Sequence, residues 1–364
     1  LSSSSAASDV YKRQLNGSVN PSEKIVRVFE FVKKKMSWNG YIGIYTDENV
    51  KKAFDMGSGN TADINLMLTA MFRYAGLKAN PVLISTKSHG VPIFPTLNGF
   101  NYVISGVETE DGTMLFDATN KYGEPNILDR DLLNWKGRIV REDESSNWVS
   151  LNPSKLAMEA FMINATLNTE GGVKGSIRNQ FTGNKAFENR NEFVGLSEND
   201  VEEELEDRYE QLNVSDAKFE NLGNPYKPLK MDFNFDSQNF VEEINGNLYV
   251  SPLLFLCMDE NPFKQEDRKF PVYYGYPSKK RYIVSIDLPE GYKVESLPAG
   301  ANVKMGDNVV AFKYLLSENN NKIQLSAEFS INRYIVSPQE YGDLKKFYQY
   351  MIDKEKEKIV LSKI

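Results

Sequence analysis

The stretch Gly57-Ser-Gly-Asn-Thr-Ala-Asp-Ile-Asn-Leu-Met-Leu-Thr-Ala-Met-Phe-Arg-Tyr-Ala-Gly76 constrains this chain more than any other. It reads as a Gly-rich turn that opens a helix. Ser58, Asn60 and Thr61 are all good N-cap types, and Asp63 puts negative charge in the first turn, where the helix dipole favours it. Ile64, Leu66, Met67, Leu68, Ala70, Met71, Phe72 and Tyr74 leave almost no polar face, so burial on nearly all sides is expected. Gly76 sits where a C-terminal cap would end the helix. A buried helix emerging from such a turn can hold an activated nucleophile, because its dipole and free N–H groups lower a thiol's pKa and stabilise an oxyanion. The residue at this helix mouth is Thr61, and the only cysteine, Cys257, lies about 200 positions away.

The flanking sequence supplies partners for that helix. Pro21-Ser22-Glu23 begins a helix with Ser22 as a cap, and Ile25, Val26, Val28, Phe29, Phe31, Val32 and Met36 recur at helical spacing up to a turn at Trp38-Asn39-Gly40. Tyr41 to Tyr45 reads as a short extended piece and Asp47 to Phe54 as a short helix with an acidic start. After Gly76, Ala79–Ser85 reads as a strand. Residues 86–99 form a Gly/Pro/Ser-rich loop carrying the one histidine, His89. Phe100–Val107 and Thr113–Asp117 read as an antiparallel pair joined at Asp111-Gly112, since Asp-Gly between strands is a strong hairpin signal. Residues 127–140 wrap up the unit, and the polar run Arg141–Asn147 leads to a domain boundary near 150. The fold class is α+β, helices on an antiparallel sheet.

The remainder, 151–364, reads as mainly β and sandwich-like. A helical insert is expected over about 183–211, with a solvated acidic face at Glu202, Glu203, Glu204, Glu206 and Asp207. A C-terminal helix is expected over about 337–357, with Ser337 as its cap and Pro338 at the first helical position. Residues 1–20 begin with a Ser-rich, low-complexity run and read as a linker or non-native segment. A length of 364 residues suits two domains.

A net charge of −7 argues against nucleic acid or an anionic membrane as the main partner. No apolar run approaches the roughly 20 residues of a membrane-spanning helix. One cysteine and one histidine exclude a Cys/His zinc cluster or a His-based metal triad, so neither metal nor cofactor is expected. Cys257, in the apolar run Ser251–Met258, is expected to be a buried core residue, and His89 a surface histidine. The pair Asp129/Asp131 has the residue types for glycosidase chemistry, but nothing places it in a cleft.

Residues 21–150 resemble the transglutaminase-like superfamily of papain-like fold. Gly59-Asn60-Thr61-Ala62-Asp63 fits that family's Gly-x-Cys-x-Asp turn, and Gly76 follows Asp63 by thirteen residues. Phe100-Asn101-Tyr102-Val103-Ile104 fits its His strand, and Phe116-Asp117-Ala118-Thr119 its Asp strand. The resemblance implies a nucleophile position at Thr61, a base position at Tyr102 and an orienting carboxylate at Asp117. Thr61 stands where a Cys is required and Tyr102 where a His is required. A phenol of reference pKa about 10 is no substitute for imidazole as a base at neutral pH. More narrowly, the chain resembles bacterial envelope proteins of unknown function that place such a core between two β-rich domains. This chain would hold the core and the C-terminal β-rich part.

The expectation is a catalytically inactive binding or scaffold module, periplasmic or at the cell surface. Trp38, Asn60, Asp63 and Asn101 are candidate groove residues; Tyr41 and Tyr45 could line the same groove with Trp38, but core packing is the expectation for these three aromatics. Partners would be a peptide, a glycan-peptide or another envelope protein. Two alternatives stand beside it. One is a hydrolase or acyltransferase with altered chemistry at Thr61 and Asp117; the other is a purely structural spacer.

Overall fold

The computed structural model describes residues 20–47, 49–153, 155–238 and 240–364. The linker expected over 1–20 lies, apart from Asn20, outside the described residues. The chain divides into two compact units, 1–153 and 154–364, and each has its own apolar core.

The first unit begins with α1 (Pro21–Lys35). Its cap is Asn20 rather than Ser22: the side-chain oxygen Asn20 Oδ1 accepts the Ser22 N–H at 2.9 Å, and Pro21 takes the first helical position, where a missing N–H costs nothing. The helix stops before the Trp38 turn, and Ser37 and Trp38 bridge in parallel to Ser58 and Gly59. The short α2 (Val50–Met56) is capped by Asn49 and has no acidic residue in its first turn, so Asp47 lies outside it. It ends at Gly57 in the left-handed region, φ +74°, which glycine adopts without a Cβ clash.

The organising helix is α3 (Thr61–Tyr74). Of the three candidate caps, Asn60 is the one used, and Thr61 is the first helical residue. Asn60 Oδ1 accepts the Asp63 N–H at 2.8 Å while Asp63 Oδ2 accepts the Asn60 N–H at 3.0 Å. This capping box satisfies two of the donors a helix N-terminus leaves open. Gly59 is required by the same contact, since a Cβ there would lie 2.6 Å from the Asp63 Cβ. The helix is buried along most of its length, but Tyr74 is exposed.

The sheet of this unit has five strands: β1 (Ala79–Ile84), β2 (Tyr102–Thr109), β3 (Gly112–Phe116), β4 (Lys136–Val140) and β5 (Ser146–Ser150). Their spatial order is β3-β2-β1-β4-β5, antiparallel throughout. The hairpin at Asp111-Gly112 is present, pairing Thr109 with Gly112. The polar run Arg141–Asn147 does precede a unit boundary, which falls after 153, but it is not a linker. It is the turn and the start of the return strand of a second hairpin, β4–β5. An outer strand half in solvent has too few apolar residues to announce itself. Ile64, Met67, Leu68, Met71 and Phe72 of α3 pack with Ile25, Val28, Phe29 and Val32 of α1. Phe116 at the end of β3 stands between them, its ring 5.3 Å from that of Phe29 and 4.9 Å from that of Phe72.

The second unit is built on an eight-stranded sheet. Its strands are β6 (Ala157–Leu167), β7 (Val173–Thr182), β8 (Asn213–Glu220), β9 (Leu229–Ser237), β12 (Ser278–Asp287), β14 (Ala301–Met305), β15 (Val310–Asn319) and β16 (Lys322–Ile331). The order is β8-β9-β7-β6-β12-β16-β15-β14, and only the central pair β6/β12 is parallel. A second sheet, in the order β10-β11-β17-β13, comprises β10 (Val241–Ile244), β11 (Asn247–Val250), β13 (Tyr292–Ser296) and β17 (Ile359–Lys363). Inward residues of both sheets belong to one apolar core, which makes the unit mainly β and sandwich-like, though with sheets of unequal size. The last strand, β17, was not anticipated after the C-terminal helix; it lies between β11 and β13.

The insert holds two helices, α4 (Asn184–Phe193) and α5 (Glu198–Arg208). The acidic face of α5 is not simply solvated. Glu206 and Glu202 accept the backbone N–H groups of Val214 and Ala217 on β8. The C-terminal helix α6 (Tyr341–Glu355) follows a short 3-10 turn at Pro338–Glu340, where Ser337 donates its N–H and hydroxyl to the Glu340 carboxylate.

At the end of α6 the Glu355 carboxyl is 5 % exposed. Burial pushes its pKa up from 4.5 to about 7, against the Met258 N–H that it accepts at Oε2 and the attraction of Lys280. Between those values the folded chain keeps a proton that the unfolded chain has released, so stability must fall as pH rises. Denaturant unfolding at a series of pH values should show this decline between about 4.5 and about 7, and Glu355→Gln should flatten it. An identical decline in the variant would contradict the assignment.

Candidate functional site

Antiparallel pairing of β2 with β3 brings the start of β2 beside the end of β3. Tyr102, the first residue of β2, therefore meets Asp117, the residue just after β3. The Tyr102 hydroxyl donates to Asp117 Oδ2 at 2.9 Å and lies 3.0 Å from Thr119 Oγ1. Asp117 Oδ1 accepts the Thr119 N–H (3.1 Å), the Thr119 hydroxyl (2.8 Å) and the Asn65 amide (2.9 Å). Asn65 completes the seam. Its Nδ2 also donates to the Val103 carbonyl at 3.0 Å, and its Oδ1 accepts the Ala118 N–H at 2.9 Å. One turn further along α3, Thr69 Oγ1 lies 2.9 Å from Ser105 Oγ on β2. Burial, and next the neighbouring Asp117 charge, push the Tyr102 phenol well above its ordinary 10.0. The group is thus held as a proton donor at neutral pH.

Thr61 is fully buried. Its hydroxyl donates to the Gly43 carbonyl at 2.8 Å and accepts the Gly43 N–H at 2.9 Å. Its own N–H is taken by the Tyr41 carbonyl at 3.2 Å. The helix mouth is therefore occupied by the chain itself: the Thr61 and Asp63 amides already have acceptors and are not free for an oxyanion. Tyr102 and Asp117 are brought together, whereas among the described residues no hydrogen bond joins Thr61 to either. Asp63 Oδ1 is buried without a hydrogen-bond partner among the described residues.

The segment 39–45, which follows the short bridge at Ser37 and Trp38, is not regular extended structure. It is an irregular run that hangs on the N-terminus of α3 through backbone groups of Tyr41, Gly43 and Tyr45, the last accepting from Asn60 Nδ2 at 2.9 Å. Its side chains and that of Trp38 face outward, rather than packing in the core as expected of the aromatics, because the segment is held to α3 by its backbone groups: Trp38, Tyr41, Ile42 and Tyr45 are 43 %, 70 %, 49 % and 65 % exposed. Of the candidate groove residues, Trp38 is thus open to solvent, though its indole N–H donates to the Tyr41 carbonyl at 2.8 Å. Asn60 and Asp63 are buried in the capping box. Asn101 ties back the loop before β2, accepting the Thr86 N–H and donating to the Thr86 hydroxyl, each at 2.9 Å. His89 is exposed, with Nε2 3.0 Å from the Asn98 carbonyl. Cys257 lies in the second unit, half-buried, 3.0 Å from Ser251 Oγ, with burial raising its thiol to about 11. Asp129 accepts the Asp131 N–H in a turn.

Asn65 and Thr69 were missed in the sequence, yet a signal was there. Thr61, Asn65, Thr69 and Arg73 recur at intervals of four, a polar stripe along a helix whose other residues, Asp63 of the capping box aside, are apolar or aromatic.

Residues 9–112 match the transglutaminase-like superfamily, and residues 246–361 match a domain of unknown function, DUF3858. The first unit thus carries a transglutaminase-like core. The matched segment includes Thr61 and Tyr102 and stops short of Asp117. Among solved structures, one from Parabacteroides distasonis ATCC 8503, named a "putative protease", is similar over 99 % of this chain, with a TM-score of 0.55 at 9 % identity. This chain spans 56 % of that protein's length, and at this identity the likeness is one of fold. An M1 zinc metallopeptidase from Deinococcus radiodurans aligns over 57 % of this chain and 42 % of its own, at 8 % identity and a TM-score of only 0.21. No match was found among the curated proteins.

Losing a partner from a buried network strands the remaining groups, typically at a cost of several kcal/mol. Asn65→Leu, similar in volume, should lower the unfolding free energy by about 2–4 kcal/mol in denaturant titrations. A loss under about 0.5 kcal/mol, the scale of an ordinary surface substitution, would show that the seam is not structural.

Proposed function

We propose that the transglutaminase-like unit is a pseudoenzyme, a catalytically inactive core that serves as a binding or scaffold module. The observation that carries this reading is Tyr102 donating to Asp117 at the position of the family's base. Cysteine chemistry of this type needs a thiolate, a base to make it and a carboxylate to orient the base. Here the carboxylate orients a phenol that keeps its proton, and the residue at the nucleophile position is a threonine whose hydroxyl is bonded twice to Gly43. Threonine nucleophiles rely on a free amine or an adjacent base, and Thr61 is internal.

The ligand this reading favours is an extended peptide or glycan-peptide strand, or a segment of another envelope protein. Trp38, Tyr41, Ile42 and Tyr45 would supply the apolar contact, since aromatic side chains exposed together on one segment are a common mark of recognition. A periplasmic or cell-surface location goes with it, by resemblance to envelope proteins. The name of the Parabacteroides structure favours a second reading, an amide hydrolase or acyltransferase of altered chemistry that uses Thr61 and Asp117.

The two readings separate by turnover. The full chain is to be assayed for peptide hydrolysis and for amine transfer to glutamine-containing peptides, beside Thr61→Ala and Asp117→Asn. The pseudoenzyme reading expects no rate above background in any of the three. A rate in the native chain that Thr61→Ala abolishes would establish the second reading.

A further inference from the structure

The second unit contains a concavity of about 420 Å³ on the solvent face of its large sheet, crossing β6, β7, β9 and β8. We propose that it is a binding site for a short neutral oligosaccharide. This proposal does not depend on the reading of the first unit.

Strand register lays out the floor in two rows. In one, Met162 pairs with Arg178, Arg178 with Asp232, and Asp232 with Lys218. In the other, Asn164 pairs with Ser176 and Ser176 with Asn234. The second row ends at a bulge between Ser215 and Lys218. There Asp216 has a positive φ of 57°, a conformation uncommon for a residue with a side chain. Bulges on edge strands re-aim side chains, and here Asp216 Oδ2 receives the Asn234 amide at 2.9 Å. With neighbouring strands about 4.8 Å apart, the four strands make a trough about 14 Å across.

The lining selects the ligand class. Two carboxylates, Asp216 and Asp232, oppose an anion. Arg178 already lies 3.3 Å from Asp232 Oδ2, and Lys218 has no ion-pair partner among the described residues. Positive and negative groups thus balance, which favours a neutral ligand. No group of three or more His, Cys, Asp or Glu fit to hold a metal occurs among the described residues. What remains is a floor of planar amide, carboxylate and guanidinium groups with a serine hydroxyl. Between them these groups give and accept hydrogen bonds, the carboxylates accepting, the guanidinium donating and the amides and hydroxyl doing both, as paired sugar hydroxyls require. The first row continues in apolar residues beyond Met162. Ile283 of β12 pairs with Met162, and Ser326 of β16 links Ile283 to Leu315 of β15. Met162, Ile283 and Leu315 are 48 %, 40 % and 61 % exposed. Sugar rings offer C–H faces as well as hydroxyl edges, and this row offers both kinds of surface.

The test is isothermal titration of the full chain with soluble cello-, xylo-, manno- and N-acetylglucosamine oligosaccharides. At least one series should bind. Asn164→Ala and Asn234→Ala should each weaken it at least about tenfold, because a site built to bond hydroxyls loses strongly when a polar partner is removed. Gln180→Ala, on the same exposed face of β7 but outside the trough, should leave it unchanged. Circular dichroism of each variant checks the fold. Absence of binding by all four series, or binding that the two Asn variants leave intact, would overturn the proposal.

Discussion

The Asp117 carboxylate accepts four hydrogen bonds, from Tyr102, Asn65 and both the N–H and the hydroxyl of Thr119. Much of the first unit depends on this one buried group. Taking a carboxylate out of water is costly unless its lone pairs are met, so its donors cannot be placed freely. Asn65 comes from α3, Tyr102 from the start of β2 and Thr119 from the turn after β3. Satisfying the charge therefore fixes how the helix lies on the sheet. The apolar stripe of Ile64, Met67, Leu68, Met71 and Phe72 supplies burial, which acts without direction. The polar stripe on the same helix supplies register.

The same network explains how a tyrosine can stand at position 102 without collapse of the surrounding frame. An oriented histidine would place an N–H against the carboxylate; Tyr102 places an O–H there. As structural donors the two are alike, but as acids and bases they differ. Imidazole can take up a proton at neutral pH, and a buried phenol beside a negative charge holds its own. At the helix mouth the change is of another kind. Gly43 meets both the donor and the acceptor capacity of the Thr61 hydroxyl, and the segment carrying Gly43 turns its aromatic side chains to solvent. Gly59 and Asp63, the other fixed points of the turn, are explained by capping and close packing alone.

The sequence made some of this legible. The Gly-rich turn, the apolar run to Phe72 and the left-handed Gly76 mark α3 because capping and burial leave local traces. Asp111-Gly112 marks its hairpin because the turn itself demands those residues. The strands β4 and β5 were hidden because their exposed face is polar, and β17 because a five-residue strand after a charged helix end has no periodicity of its own. Choosing Asn60 over Thr61 as the cap depends on which side chain reaches Asp63, a matter of one residue in register. That Tyr102 and Asp117 belong to one site was implied by the family resemblance, and the structure brings them within hydrogen-bond distance. The role of Asn65 was not so implied, since an asparagine amid leucines and methionines shows its purpose only when the opposite strand is in place.

The central claim is that the tyrosine at the base position acts as a fixed donor. Its most direct test is a pH titration of the Tyr102 ring carbon bearing the hydroxyl, followed by NMR in carbon-13 tyrosine-labelled protein and assigned with Tyr102→Phe. The account predicts that this signal stays that of the protonated phenol through neutral pH and beyond the ordinary tyrosine value of 10.0, until the protein unfolds. Ionisation of Tyr102 at or near neutral pH would give the site a usable base and would contradict the account.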